Sequence, residues 1–333
     1  MVFYRNSDSD DPFHHIYASP EWLRDYDNPV LPFPLIVDLE VTNHCNLECI
    51  FCQRRTSSAP QGRMAFSHFR KVVDECAERR APIRISGWGE PLVHTQIVDF
   101  IRYASEKGVL TKIYTNGLLL TESTMQGLIG AGLGELQFSM QGLNAAQYAD
   151  NRRKGDYEKL AGIIRMAARQ RDPSGSTGPF LGIVTSVLRR EQEEGDVDGF
   201  RDEWLQYVDK VAVDMTNLNF VGEDAEVAPL IGQHLIEPVH VRCVDVFLKI
   251  HIAWDGSLDI CSQDAHHYPE YVLGSIDDLR IEEAWRSEKF EHHRNLVGRA
   301  LQHDELPLCR NCFPATDKYD YLKEELASQA ADG

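Results

Sequence analysis

Short apolar segments alternate with longer amphipathic segments through residues 35–215. The apolar segments have the length of buried strands, and the longer segments repeat apolar residues at helical spacing, as at Phe69, Val72 and Cys76. The predicted strands are Leu35–Thr42, Ile83–Ser86, Leu110–Thr115, Glu135–Met140, Phe180–Leu188 and Val208–Met215. The predicted helices are Phe66–Arg80, Gln96–Lys107, Thr124–Ala131, Tyr157–Gln170 and Asp198–Tyr207.

This order of strands and helices predicts an α/β fold. Repeated strand-then-helix units imply parallel strands joined by right-handed crossovers. Six such units predict a partial (β/α)6 barrel whose active residues lie at the carboxyl ends of the strands. Residues 35–232 would form this barrel, and residues 1–34, which show no clear period, would form an irregular lead-in.

The pattern then changes and predicts a smaller second domain at 233–333, which ends in a charged tail. Val246–Trp254 and Leu258–Ile260 flank an Asp-Gly-Ser sequence that is typical of a β-hairpin turn. We expect a helix containing Trp285 and Phe290 to follow the hairpin.

Composition limits the class of partner. Of the 333 residues, 43% are hydrophobic and 26% are charged, which is typical of a globular chain with a packed core. The formal net charge of −18 argues against a nucleic-acid partner, which needs a basic face, and would suit a cationic substrate. The polar start of the chain does not resemble a signal peptide, and no apolar run approaches the ~20 residues that span a bilayer. We therefore expect a cytoplasmic protein with no membrane partner.

Eight cysteines supply the strongest chemical signal. Three of them, Cys45, Cys49 and Cys52, have the spacing C-x3-C-x2-C directly after the first predicted strand. Soft thiolates favour iron–sulfur clusters or zinc. Structural zinc usually takes four ligands and C-x2-C pairs, so a set of three fits zinc poorly. Three thiolates can instead hold three irons of a [4Fe–4S] cluster and leave the fourth iron open.

This motif, with Phe51 as the aromatic residue before its last cysteine, resembles the hallmark of the radical S-adenosylmethionine (SAM) superfamily. The resemblance implies that SAM binds the open iron and that Phe51 lies near the adenine. The segment SGWGEP at 86–91 resembles the Gly-Gly-Glu motif of that superfamily, although a tryptophan separates its two glycines. Gly87 and Gly89 would then permit close backbone approach, and Glu90 would accept a hydrogen bond from the SAM ammonium group.

Further candidate SAM contacts lie at strand ends. Asn116 belongs to a Thr-Asn-Gly sequence that ends the third predicted strand, Ser139 ends the fourth, and Arg152 follows on the next turn. By resemblance, these side chains are candidates to hold the ribose or carboxylate of SAM. A simple strand-end turn explains each of them alone equally well.

Four more cysteines, Cys243, Cys261, Cys309 and Cys312, lie in the second predicted domain. Four thiolates can saturate either a zinc ion or an iron–sulfur cluster, and spacing alone does not decide between them. The layout resembles the twitch domain, the single-cluster short form of the SPASM domain in radical SAM dehydrogenases. This resemblance, which spans residues 36–313, implies a second, fully ligated [4Fe–4S] cluster that relays an electron.

The two clusters imply radical chemistry on a C–H bond, with SAM as the source of the radical. In a dehydrogenase the substrate radical loses a proton and an electron, whereas in an epimerase a protein thiol returns a hydrogen atom. Seven of the eight cysteines are used as ligands, and Cys76 lies on the apolar stripe of a predicted helix, where a buried structural role is expected. The count therefore favours dehydrogenation.

The chain resembles the radical SAM dehydrogenases of the butirosin and spectinomycin pathways. The resemblance implies a small cationic amino-sugar or aminocyclitol as substrate, and an external electron donor such as flavodoxin or ferredoxin. Rival hypotheses are an epimerase of a similar sugar, an enzyme that modifies a ribosomal peptide, and a zinc-stabilised binding protein.

Acidic residues are the candidates for substrate contacts. Strand alternation places Asp38 and Glu40 on one face of the first strand, which would be the barrel interior. Glu40 and Asp214 would bind substrate ammonium groups or accept the hydroxyl proton, unless they are solvated or paired with arginine. Three histidine pairs lack a metal-ligand context and are expected at the surface: His14-His15, His266-His267 and His292-His293.

Overall fold

A computed structural model describes residues 2–5, 11–13, 30–171, 178–216, 243–300 and 302–312. The strands are β1 (Val2–Arg5), β2 (Ile36–Leu39), β3 (Glu48–Cys49), β4 (Ile83–Ile85), β5 (Thr111–Thr115), β6 (Glu135–Gln141), β7 (Arg152–Arg153), β8 (Phe180–Val187), β9 (Lys210–Met215), β10 (Lys249–Ile252), β11 (Ser257–Asp259) and β12 (Val272–Ser275). The α-helices are α1 (Phe66–Arg79), α2 (Ile97–Glu106), α3 (Glu122–Gly130), α4 (Ala145–Asn151), α5 (Tyr157–Gln170), α6 (Arg189–Glu194), α7 (Val197–Trp204), α8 (Asp245–Leu248), α9 (Ile281–Trp285) and α10 (Glu288–His293).

The predicted α/β fold is confirmed. Strands β2, β4, β5, β6, β8 and β9 are mutually parallel neighbours, in that order across the sheet. They correspond one for one to the six predicted strands. The first and last strands of this series, β2 and β9, lie at opposite ends of it, so the six strands do not close into a complete barrel.

The helices form where apolar spacing and capping groups agree. The predicted stripe of α1 is buried, with Phe69, Val72 and Cys76 all 0% exposed. Helix α5 begins and ends as predicted, and the carboxylate of its N-cap residue, Asp156, accepts a hydrogen bond from Lys159 N at 2.9 Å. These helices cover the parallel strands, whose side chains are buried on both faces as such sheets require.

The predicted hairpin forms and joins the same sheet. Strands β10 and β11 pair in antiparallel fashion around a turn in which Gly256 has a φ of +92°. Strand β10 also pairs in parallel with β2. The second predicted domain therefore begins directly beside the strand that precedes the first cysteine motif. The boundary predicted near residue 232 and the charged tail lie outside the described residues.

Three local predictions were wrong. The segment expected to be irregular contains β1, which pairs in antiparallel fashion with β9. The expected first hairpin strand begins as a helix, α8, because the chain turns there before entering β10. Trp285 and Phe290 lie on two helices instead of one, since Ser287 interrupts α9 and caps α10 by accepting from Phe290 N. No helix among the described residues is long and apolar enough to cross a membrane.

Candidate active site

The first cysteine motif lies at the carboxyl end of β2, as predicted. Cys45 lies in the loop after β2, Cys49 ends β3, and Cys52 precedes a short 3-10 helix, Gln53–Arg55. All three thiols are partly exposed. Two backbone or amide groups point at the first thiol: Leu47 N donates to Cys45 Sγ at 3.4 Å, and Asn116 Nδ2 lies 3.8 Å from the same sulfur. Such donors to cluster sulfurs are typical of iron–sulfur sites.

Gly87 and Gly89 allow the loop after β4 to pack against the loop that carries the cysteines. A Cβ atom on Gly89 would lie 2.0 Å from the carbonyl oxygen of Thr42, and one on Gly87 would lie 2.6 Å from Cγ of Glu40. Side chains larger than hydrogen are therefore excluded at both positions. The atoms approached belong to the chain itself, and the contacts of Gly87 and Gly89 with SAM stay a prediction.

The Glu90 side chain connects the loop after β4 to the carboxyl end of β5. Its carboxylate accepts hydrogen bonds from Thr115 Oγ1 at 2.6 Å, Asn116 N at 2.7 Å and Leu92 N at 3.0 Å. Burial raises the pKa of Glu90, and these three donors oppose that shift. A carboxylate has about four acceptor sites, so room remains for one further donor. The role of Glu90 in binding the SAM ammonium group stays a prediction.

Arg152 lies beside the cysteine motif because β7 pairs with β3 and sets Arg152 opposite Cys49. Its Nε donates to Gln141 Oε1 at 3.0 Å, so Gln141 fixes the guanidinium. Ser139 lies two residues inside β6 and not at its end, because β6 continues to Gln141. Gln141 was missed in the sequence because its position at the strand end depends on where β6 stops. Phe51 is half-buried between the second and third cysteines, and its contact with adenine stays a prediction.

The acidic residues in and directly after β2 have different partners. Asp38 accepts from Arg84 Nε at 2.6 Å and lies 3.5 Å from Lys249 Nζ, so its carboxylate is paired with two cations. Glu40 is 2% exposed, and its Oε2 accepts from Trp88 N at 2.7 Å. Its Oε1 is buried without a hydrogen-bond partner among the described residues. Burial raises the pKa of Glu40 to about 7.

Glu40 lines a small pocket between the cysteine loop and the C-terminal part of the chain. The lining residues are Glu40, Asn43, Arg54, Ser57, Ala59, Gln61, Trp88, Ala265 and His267. Two further polar atoms of this pocket, Arg54 Nε and Trp88 Nε1, are buried and form no hydrogen bond with any described residue. Asp214 is not in this set: it lies near the end of β9, at the far end of the parallel series from β2.

The prediction that the histidine pairs lie at the surface was wrong for two residues. His267 lines the pocket with Glu40, and His293 is 3% exposed because α10 packs it against Tyr271. His292 is exposed, and His14-His15 lie outside the described residues. Adjacent residues of a helix or turn point in different directions, so a pair of histidines does not share one environment.

The four later cysteines, Cys243, Cys261, Cys309 and Cys312, lie close enough for their thiols to interact electrostatically. Cys309 and Cys312 lie on and directly after a 3-10 helix, Cys309–Asn311, and Cys243 N donates to Val297 O at 2.8 Å. The hydroxyl of Tyr271 donates to Cys309 Sγ at 3.6 Å and accepts from Leu308 N at 3.0 Å. The buried tyrosine therefore holds the third thiol in place.

The donor sets fit iron–sulfur clusters. Burial raises the pKa of Cys243 to about 12 and that of Cys309 to about 11, and the thiolate of Cys309 further opposes ionisation of Cys243. Bound iron supplies the positive charge that stabilises such thiolates in a buried site. Among the described residues, no three metal-binding side chains converge as ligands of a single ion. A cubane places iron and sulfide between its thiolates and does not need that convergence.

Comparisons with known proteins agree with this geometry. Residues 39–185 match the family model described as the radical SAM superfamily, and residues 243–313 match the SPASM model, an iron-sulfur cluster-binding domain. The "Tungsten-containing aldehyde ferredoxin oxidoreductase cofactor-modifying protein" of Pyrococcus furiosus is 25% identical over 86% of this chain and 88% of its own length.

Two other matches are limited, the first in the length that it covers and the second in sequence identity. A "PqqA peptide cyclase" of Bradyrhizobium diazoefficiens is 34% identical, but the match spans 33% of this chain and 29% of the cyclase. The crystal structure of BtrN in complex with AdoMet and 2-DOIA superposes with a TM-score of 0.57 at 17% identity, over 84% of this chain and 93% of BtrN. That likeness is one of fold. The cysteine motif at the end of β2, the second thiol set and the two matched models show that residues 39–185 form a radical SAM domain and residues 243–313 a SPASM-type iron–sulfur domain.

Proposed function

We propose that this enzyme is an oxidoreductase that converts a secondary alcohol of a small amino-sugar or aminocyclitol into a ketone. The observation that carries the proposal is Glu40, a buried carboxyl group that lines the pocket and whose Oε1 has no hydrogen-bond partner among the described residues. A carboxyl group with a pKa near 7 is suited to accept a hydroxyl proton at neutral pH. Asp214 stays a second candidate for the same roles.

The chain's own residues would hold the cofactors around this pocket. Cys45, Cys49 and Cys52 would ligate the first [4Fe–4S] cluster, and Asn116 would steady it through its contact with Cys45 Sγ. The bound cluster and SAM together supply a one-electron cleavage that removes a hydrogen atom from the substrate carbon.

The residues proposed to bind SAM follow from the motifs identified in the sequence. They are Phe51, Gly87, Gly89, Glu90, Asn116, Ser139 and Arg152. Glu90, Arg152 and Asn116 are each fixed by hydrogen bonds within the chain, so their polar groups are oriented before a ligand arrives.

Dehydrogenation requires the carbinol to lose one hydrogen atom from carbon, one proton from oxygen and one electron. The proton would pass to Glu40 and the electron to the second cluster, whose ligands would be Cys243, Cys261, Cys309 and Cys312. An epimerase would need a thiol beside the substrate. Cys76, the described cysteine outside both sets, is 0% exposed in the core, and burial raises its thiol pKa. That placement favours dehydrogenation.

The cationic substrate is inferred from charge. The whole chain has a net charge of −18. Such a field favours an ammonium-bearing ligand. An external donor such as flavodoxin or ferredoxin would supply the electron that radical SAM enzymes require.

Peptide modification is the second candidate, because one relative is named a PqqA peptide cyclase. One experiment separates the candidates. Anaerobic holoenzyme with SAM and reductant is incubated in heavy water with a panel of aminocyclitol glycosides. The proposal predicts one ketone per 5′-deoxyadenosine and no deuterium on the product carbon. An epimer carrying one deuterium would support the epimerase, and modification of a precursor peptide without ketone formation would support the peptide enzyme.

A further inference from the structure

His267 belongs to the C-terminal part of the chain and lines the same pocket as Glu40. It lies on the loop between β11 and β12, and its Nδ1 lies 3.3 Å from Oδ2 of Asp259. Asp259 is 0% exposed and makes no other ion pair within the described residues. The ion pair with the Asp259 carboxylate raises the pKa of His267 to about 9, so the imidazole is protonated at neutral pH and its Nε2–H is a second donor.

The backbone around His267 is held from both sides. The carboxylate of Asp264 accepts hydrogen bonds from His266 N at 3.0 Å and Tyr268 N at 2.7 Å, the two neighbours of His267. Ser57 Oγ, from the loop after the first cysteine motif, donates to Ala265 O at 2.6 Å. His267 itself has a φ of +53°, in the left-handed region that few residues other than glycine adopt, although histidine is enriched there. A non-glycine residue keeps such a conformation where the surrounding structure enforces it.

The pocket thus presents an acceptor and donors that the described residues leave without partners. Glu40 Oε1 is buried and unpartnered, and so are the donors Trp88 Nε1 and Arg54 Nε. A hydroxyl group can donate to the acceptor of such a pocket and accept from its donors at the same time. An ammonium group would satisfy Glu40 but repel a protonated histidine, and a carboxylate would be repelled by Glu40.

We propose that Glu40 and His267 hold one hydroxyl group of the substrate between the two domains, with Asp259 as a positioning residue for His267. The hydroxyl group donates to Glu40 Oε1 and accepts from the imidazole. The proposal deepens the proposed function and rests on it only in requiring a ligand that carries a hydroxyl group.

Binding to the anaerobic holoenzyme with SAM, measured by calorimetry, tests the proposal with three probes: myo-inositol, 2-deoxystreptamine and cyclohexylamine. The key variant is His267→Gly, because glycine adopts a positive φ without strain. We expect its affinity for the two hydroxylated probes to fall about tenfold, the effect of one lost hydrogen bond to a charged group. Its affinity for cyclohexylamine, which has no hydroxyl group and whose ammonium group the protonated histidine repels, should not fall.

Three controls accompany the variant. His267→Asn, which tolerates the same φ and retains a shorter donor, should recover part of the affinity. His292→Ala removes an exposed histidine from the same domain and should change nothing. Iron content and SAM affinity should be equal in all proteins, so that a lost cluster is not mistaken for a lost contact.

The outcomes separate this inference from the proposed function. Equal affinities in the wild type and His267→Gly, or no binding of either hydroxylated probe, would overturn the inference. If 2-deoxystreptamine is oxidised with an unchanged KM by His267→Gly, the dehydrogenase stands and the inference fails. If myo-inositol binds through His267 while no member of the panel is oxidised, the inference stands and the proposed function fails.

Discussion

The alpha carbon of Gly89 packs so closely against Thr42 that an added Cβ would lie 2.0 Å from the Thr42 carbonyl oxygen. The neighbouring Glu90 N donates to His44 O at 2.8 Å, so this contact fixes the loop after β4 against the loop that carries the first cysteines. The glycine of the motif thus shapes the cluster loop directly.

Substitution of Gly89 by alanine should therefore disrupt the first cluster. The obstructing atoms are backbone, which cannot move aside as a flexible side chain can, so we expect a loss of about 1–3 kcal/mol in stability. SAM cleavage and iron content should both fall. Gly130→Ala is the matched control, because nothing lies within 4 Å of its added Cβ. Equal iron content in the two variants would contradict this account of Gly89.

The raised pKa of Glu40 predicts that the rate of ketone formation depends on pH. Its pKa in the folded protein is about 7 against an ordinary value of 4.5, so the base becomes ionised as the pH rises through 7. Ketone formation should increase from pH 6 to pH 8 with a midpoint near 7, and the infrared band of a protonated carboxylic acid should disappear over the same range. Glu40→Gln should abolish the band and reduce ketone formation about 100-fold or more while retaining SAM cleavage.

The raised pKa of Glu40 also makes the free energy of unfolding depend on pH. Because the folded pKa is raised, the folded state binds the proton more tightly, and the associated stability is lost as the pH rises from about 4.5 to about 7. Glu40→Gln should then be more stable than the wild type at pH 8, by about 3 kcal/mol at most, and not at pH 4. Glu270→Gln, at an exposed position, is the control and should show no such difference. A Glu40→Gln advantage that is equal at both pH values would show that the carboxyl group is not shifted.

Much of the site could be predicted because its residues come directly after the carboxyl ends of predicted strands. A thiol motif or a Thr-Asn-Gly sequence directly after an apolar strand is local in the chain, and parallel strands bring such ends to one edge. His267 was misplaced because its environment depends on contacts with β11 and on Ser57, which lies 210 positions earlier. Likewise the break between Trp285 and Phe290 depends on a side-chain cap at Ser287, which competes with a continuous helix.

A Cys309→Ala variant tests whether radical formation can occur without electron transfer to the second cluster. Cys309→Ala removes one ligand of the second thiol set, and the first set lies elsewhere, so 5′-deoxyadenosine should still form while the ketone disappears. Electron paramagnetic resonance of the reduced protein should show the first cluster with normal intensity and the second cluster altered. Ketone production at wild-type yield would show that the second cluster is not the electron acceptor.

A Cys76→Ala variant tests the alternative mechanism, an epimerase in which a protein thiol donates the hydrogen atom. Its side chain lies in the core on α1, 0% exposed, so Cys76→Ala should cost some packing energy and leave the product unchanged. Product identity is checked by mass spectrometry and by the stereochemistry of the product carbon. A change from epimer to ketone in Cys76→Ala would instead identify this thiol as the hydrogen donor.

The central claim is that seven thiolates bind two cubanes, one with an open iron for SAM and one fully ligated. Iron and sulfide are counted in anaerobically reconstituted protein, and the same sample is then mixed with SAM and strong reductant. The account predicts iron and sulfide for two [4Fe–4S] clusters together with 5′-deoxyadenosine release. Metal for no more than one cubane, zinc in place of iron, or intact SAM would contradict it.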